Sequence, residues 1–335
     1  VIGIWNDIQW LDTLIIAFLG GLLGTMFTIA LRRLFIVEEA LPYPEGVACR
    51  EVLVAGEEGG EGAMAILYAL GIGGIYGLMV KGFKVTHENV EAAWDFIGTR
   101  LYAGMDLSVA LLSVGYIVGI RIASFIFLGG VIGYGILVPM YGLIRGWPES
   151  PDLAYGFYLV WKSQVRFVGV GAMVVGGIYT LWSMRKTIIT GLSKALIKRD
   201  SSDEELLRTE IDLPLDKVLM VCGVLVGLTF LYYWWATGSL ILALAGALFL
   251  GLVAFFFAAV AGYIAGVVGS SNSPVSGMTI ATLLFTVALV WIIGDLFLGL
   301  ATEELMLATL LIAAIVASSA AIAGDVMQDL KTGHM

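Results

Sequence analysis

Leu240–Val268 reads LILALAGALFLGLVAFFFAAVAGYIAGVV and contains no charged residue. A bilayer core about 30 Å thick takes roughly 20 consecutive apolar residues per helical span, and this stretch exceeds that length. At the same depth a backbone must satisfy its own N–H and C=O groups, which a helix does. The stretch therefore predicts a transmembrane helix. Working outward, about eight more apolar stretches follow the same rule: roughly 11–31, 63–80, 102–120, 122–144, 167–184, 218–236, 278–300 and 305–323.

Composition agrees. Of 335 residues, 59% are hydrophobic and 13% charged, with a mean hydropathy of +0.95. Soluble domains average about 45–50% apolar and about 25% charged. A soluble enzyme, a secreted disulfide scaffold and a disordered chain are excluded. So is an outer-membrane barrel, whose strands are about ten residues long and alternate polar with apolar. The expected fold class is all-α: a polytopic transmembrane helical bundle with broken or re-entrant segments and internal repeats. Three regions are expected: membrane helices over 1–184, a charged connector over 185–217, and membrane helices over 218–335.

The net charge is −9, with no basic stripe for nucleic acid. Cys49 and Cys222 lie far apart and read as small apolar residues rather than a disulfide. The chain opens without Met or a signal-peptide pattern and stops shortly after Lys331, so a fragment is expected. Lys and Arg concentrate on the cytoplasmic side of membrane proteins. With strict alternation one side collects Arg32, Arg33, Arg50, Arg121, Arg185, Lys186, Lys194, Lys198, Arg199, Arg208, Lys217 and Lys331. The other collects Lys81, Lys84, Arg100, Arg145, Lys162 and Arg166. That two-to-one excess predicts a cytoplasmic 185–217 loop. Glycine runs at Gly71–Gly74 and Gly169–Gly171 predict close helix–helix approach.

Three segments break the apolar pattern. In the first, Leu41-Pro42-Tyr43-Pro44-Glu45-Gly46 leads into Val47-Ala48-Cys49-Arg50-Glu51-Val52-Leu53. Pro44 suits the first turn of a helix, and Glu45 suits the positive end of its dipole. Gly56-Glu57-Glu58-Gly59-Gly60 reads as its flexible stop. Dipped into the bilayer, such a half-helix presents free N–H groups to an anionic substrate group, while Glu45 attracts a cation or carries a proton. The bland reading is an amphipathic cytoplasmic linker.

The second segment is Gly269-Ser270-Ser271-Asn272-Ser273-Pro274-Val275-Ser276-Gly277-Met278-Thr279, between two long apolar spans. Interruptions of this kind point to transporter binding sites, and its Ser and Asn side chains offer neutral hydrogen bonds. A plain surface turn is the alternative.

In the third, Gly324-Asp325-Val326-Met327-Gln328-Asp329-Leu330-Lys331-Thr332-Gly333, the residues Asp325, Gln328 and Asp329 fall at i, i+3 and i+4. Near Lys331 they suit a gating ion pair or a proton relay, or else form a solvated helix end. Asp295 is an acid in an apolar run, and such residues are functional candidates.

Enzyme signatures are missing. The two histidines, His87 and His334, form no HExxH, and no Walker-A pattern exists. An intramembrane aspartyl protease would need Asp295 and Asp325 face to face.

Taken together and in order, the three segments resemble the oligopeptide transporter family, including its yellow-stripe-like metal-chelate branch. Members of that family look about twice as long, with an earlier copy of an element like Gly277-Met278-Thr279. The resemblance implies proton-coupled uptake of small peptides or metal chelates across the cytoplasmic membrane, with no cofactor beyond the coupling proton. On that reading Pro42, Tyr43, Pro44, Glu45, Gly46, Ser270, Ser271, Asn272, Ser273, Pro274, Gly277 and Thr279 hold substrate. Glu45, Glu51, Asp295, Asp325, Gln328, Asp329 and Lys331 couple or gate. The expected partners are lipid, the substrate, and either a second copy or the remainder of the polypeptide. A passive pore and a non-transporting scaffold subunit are the competing classes.

Overall fold

A computed structural model describes residues 9–85, 87–150, 152–176, 179, 182–183, 185, 213–271, 273, 275–297, 299 and 302–335. The expected charged loop, Asn272, Pro274 and the end of the expected 167–184 span lie largely or wholly outside them. Two compact units emerge. One comprises Val1–Tyr43 with Met173–Met335, and the other Pro44–Ala172.

The first unit is a helical bundle. It contains α1 (Trp10–Arg32), which continues in wider π geometry over Arg33–Glu38. The unit's later helices are numbered after those of the second unit: α8 (Leu215–Thr237), α9 (Leu240–Val268), α10 (Val275–Val290) and α11 (Thr302–His334). The turn between α8 and α9 is tight. Gly238 adopts the left-handed φ of +66° that ends a helix, and the Ser239 hydroxyl accepts the Leu242 N–H at 3.4 Å as the next cap.

α11 packs against α1, α8, α9 and α10. Its contact with α1 is backbone to backbone. A Cβ at Gly20 would lie 2.7 Å from the Ile315 carbonyl oxygen, and one at Gly24 2.4 Å from that of Ser319. This Gly-x-x-x-Gly spacing is the small-residue interface of membrane helices. The core around it includes Leu19, Leu23, Phe27, Leu250, Phe257, Leu311 and Ile315.

The second unit holds α2 (Pro44–Glu58), α3 (Gly60–Gly77), the hairpin β1 (Asn89–Phe96) and β2 (Thr99–Asp106), α4 (Val109–Val118), α5 (Ile120–Gly130), α6 (Val138–Arg145) and α7 (Leu153–Val160). The antiparallel register runs from Asn89↔Asp106 to Phe96↔Thr99. Its two-residue turn, Ile97-Gly98, has positive φ at both positions (+46° and +78°), which matches the twist of the flanking strands.

Among the described residues, seven helices are long and apolar enough to cross a membrane: Trp10–Glu38, Gly60–Gly82, Ile120–Arg145, Leu215–Thr237, Leu240–Val268, Val275–Asp295 and Leu305–His334. The protein is a polytopic helical membrane protein, as expected. Two local expectations need correction. The expected span over 102–120 is instead strand β2 followed by the ten-residue α4. Tyr102, Gly104 and Asp106 alternate with Leu101, Ala103 and Met105, so the pattern has period two, which a sum of hydropathy hides. The expected packing glycines are also elsewhere. Cβ atoms at Gly71, Gly73, Gly74, Gly169 and Gly171 would meet nothing within 4 Å among the described residues, whereas Gly20, Gly24, Gly246 and Gly266 are crowded.

Candidate functional site

In the first unit, the segment before Pro44 crosses the C-terminal end of α9. Ala40 and Tyr43 both take left-handed backbone, with φ of +46° and +45°. Such geometry in a residue with a side chain persists only where its surroundings enforce it. Here they do. The Leu41 N–H donates to the Phe35 carbonyl at 3.0 Å, and the Tyr43 N–H donates to the Gly266 carbonyl at 2.8 Å. The Tyr43 hydroxyl donates to the Gly262 carbonyl at 3.1 Å. Tyr43 is fully buried among Leu31, Leu34, Phe35, Ile36, Ala259 and Met327. Burial raises its phenol pKa well above the ordinary value, so it remains a neutral donor.

Glycine makes this approach possible. A Cβ at Gly266 would sit 2.7 Å from Leu41 Cδ1 and 3.0 Å from Tyr43 Cζ. Gly262, one turn earlier, faces the same side, with Met327 Cγ 3.4 Å from where its Cβ would be.

The third segment joins the same place. The Gln328 amide donates to the Ala265 carbonyl at 2.9 Å, and the Gly269 N–H donates to that oxygen at 3.0 Å. Side chains from two distant parts of the chain thus take the carbonyls of the last turns of α9. Just beyond, Gly269 (φ +94°) ends the helix, and the second segment begins. There the Ser273 N–H donates to the Ser270 carbonyl at 3.0 Å, and the Val275 N–H to that of Ser273 at 2.8 Å. The Ser273 hydroxyl is buried, with no hydrogen-bond partner among the described residues. The Thr279 hydroxyl donates to the Val275 carbonyl at 2.8 Å. Ser270 is half-buried and Ser271 exposed. Gly277 and Met278 border a cavity of about 10 Å³, which has room for one water.

The other expected residues are placed as follows. Pro42 is exposed. Pro44 is the first residue of α2, with Glu45 in its first turn, and the helix stops before Gly59 and Gly60 (φ +71° and +65°). Glu45 is half-buried and Gly46 buried. Glu51 is exposed and pairs with neighbouring Arg50 at 2.6 Å. Asp295 is exposed in the π-helical stretch Trp291–Phe297. The third segment forms the last turns of α11. On it Asp325 and Asp329 are exposed, while Gln328 and Lys331 are buried. Among the described residues no carboxylate lies within 4.0 Å of the Lys331 ammonium. Sequence reasoning missed Gly262 and Gly266. Their i, i+4 spacing ahead of a helix break was the available signal.

The spans define a polytopic helical membrane protein. The OPT oligopeptide transporter protein family model matches residues 2–335, and the chain belongs to that family. It is 33% identical over 350 aligned positions to a Haemophilus influenzae protein named "Putative oligopeptide transporter". The alignment takes in 99% of this chain and 55% of the relative, so the chain spans about half the length of the curated relative it matches. No solved structure matches it. The family is one of transporters, not enzymes, which removes the protease reading of Asp295 and Asp325.

Proposed function

We propose that the protein serves as a secondary transporter that carries small peptides or metal chelates across the cytoplasmic membrane by alternating access, driven by protons. The carrying observation is the break after α9. A buried Ser273 hydroxyl, with no partner among the described residues, lies beside a helix end whose carbonyls are held by Tyr43 and Gln328. A polar group left unmade in an apolar setting costs roughly 1–3 kcal/mol, and a substrate amide or carboxylate that accepts its hydrogen bond recovers that cost. Ser270, Ser271, Asn272 and Ser273 hold substrate through neutral hydrogen bonds, and Glu45 carries the coupling proton. Asp325, Asp329 and Lys331 contribute to gating as α11 moves.

The test is uptake into proteoliposomes of a peptide and metal-chelate panel at two external pH values. Glu45→Gln is expected to abolish the pH dependence while substrate binding remains. Unchanged pH-dependent uptake by Glu45→Gln would remove Glu45 from coupling.

A further inference from the structure

A second site lies in the other unit, around the hairpin, and no expected residue belongs to it. A cavity of about 200 Å³ is lined by Glu91, Tyr102, Tyr134, Asp152, Tyr155, Phe157 and Tyr158, with Ala154. Its wall is aromatic. The ring centroids of Tyr102, Tyr134 and Phe157 are mutually 5.1 to 5.8 Å apart, and Tyr155 and Tyr158 stand 6.5 Å apart. Among the described residues its charged lining consists of two carboxylates and no cationic side chain.

Both carboxylates are fixed. The Tyr102 hydroxyl donates to Glu91 Oε2 at 2.8 Å, and Asp152 Oδ1 accepts the Ala154 N–H at 3.1 Å as the cap of α7. Gly104 lets the Tyr102 phenol lie across its strand, since a Cβ there would meet the hydroxyl oxygen at 2.5 Å.

Aromatic faces carry negative potential and attract organic cations, while carboxylates supply the opposite charge and hydrogen-bond acceptors. The unit already seats two of its own cations on rings of this region. The Arg100 guanidinium lies 5.1 Å from the Trp147 ring and the Lys162 ammonium 5.8 Å from the Tyr158 ring. An anion would face the two carboxylates there. A metal ion is ill served, because no group of three His, Cys, Asp or Glu side chains suited to one exists among the described residues.

We propose that this cavity binds a protonated amine: a small alkylammonium or the free amino terminus of a short peptide. The peptide form rests on the transport reading above; the amine site does not. The ammonium sits against the aromatic wall between Glu91 and Asp152.

The test uses the protein in lipid nanodiscs, titrated with n-propylammonium, n-propanol, Ala-Ala and N-acetyl-Ala-Ala. Binding is followed by calorimetry and by tryptophan fluorescence, since Trp161 stands 5.7 Å from Tyr134. Propylammonium and Ala-Ala are expected to bind saturably and compete, while the two neutral probes bind at least tenfold more weakly. The isosteric double variant Glu91→Gln/Asp152→Asn is expected to lose tenfold or more in amine affinity with an unchanged melting temperature. Equal binding of propanol, or undiminished amine binding by the double variant, overturns the site. Propylammonium binding without competition from Ala-Ala keeps the amine site and removes the peptide terminus as its occupant. Uptake measured in parallel separates the two ideas. Amine-selective binding without transport strikes the transport reading alone, and transport without amine-selective binding strikes this site alone.

Discussion

Tyr43 sits in a sequence that suggests substrate contact, and in the structure it also bonds two backbone carbonyls of α9. Its hydroxyl holds the Gly262 carbonyl and its N–H holds that of Gly266. Tyr43→Phe leaves the first carbonyl short of a partner at a cost of about 1 kcal/mol. A lower thermal midpoint in detergent, with no change in substrate affinity, is the expected outcome. A loss of affinity at an unchanged midpoint would instead return Tyr43 to the substrate. Tyr102 gives a second measurement at this scale. Desolvation first, and the hydrogen bond to Glu91 next, push its pKa from 10.0 up to about 12. Because the folded value is raised, the neutral phenol's contribution is whole below about pH 10 and fades as pH climbs through about 12. Glu91→Gln removes the carboxylate's share, so one tyrosine should ionise at lower pH, read as phenolate absorbance.

At the scale of elements, small residues decide which helices meet. α1 and α11 touch through Gly20 and Gly24, where a Cβ at Gly24 would lie 2.4 Å from the Ser319 carbonyl oxygen. No flexible side chain can yield there, so Gly24→Ala must part the helices. Overpacking of this kind costs about 1–3 kcal/mol, and the variant's thermal midpoint should fall accordingly. Gly74→Ala, whose added methyl meets nothing, is the matched control. The hairpin adds an argument about topology. α4 has ten residues and is about 15 Å long, half of a bilayer core. Yet β1 and β2 pack on α7, and the Thr99 hydroxyl bonds the Pro139 carbonyl at 2.9 Å. We expect the chain over 109–145 to leave by the face it entered, with a break at Gly119 (φ +83°). Single cysteines at Asn89 and Glu149 should react with an impermeant thiol reagent from the same side. Labelling from opposite sides would show that α4 crosses.

At the scale of the whole molecule, much was legible in the residues alone. Seven of the expected spans are helices at close to their expected positions, because twenty apolar residues in lipid have almost no alternative to a helix. The first broken segment was legible too. Pro44 opens α2 and the Gly59-Gly60 pair closes it, since proline and glycine act through the local backbone. What the residues could not reveal was every fact that depends on a partner distant in sequence. Tyr43 meets Gly262 across 219 positions, and Gln328 meets Ala265 across 63. The crowded glycines differ from the open ones only in which helix lies opposite. The aromatic cavity likewise joins the hairpin to Tyr134 and α7, elements unconnected by any motif. Hydropathy and backbone preference are properties of short windows, and so the sequence by itself determined the membrane class and the helix limits. Packing contacts and hydrogen bonds to remote carbonyls exist only once the chain has closed on itself, and those the tertiary structure alone decided.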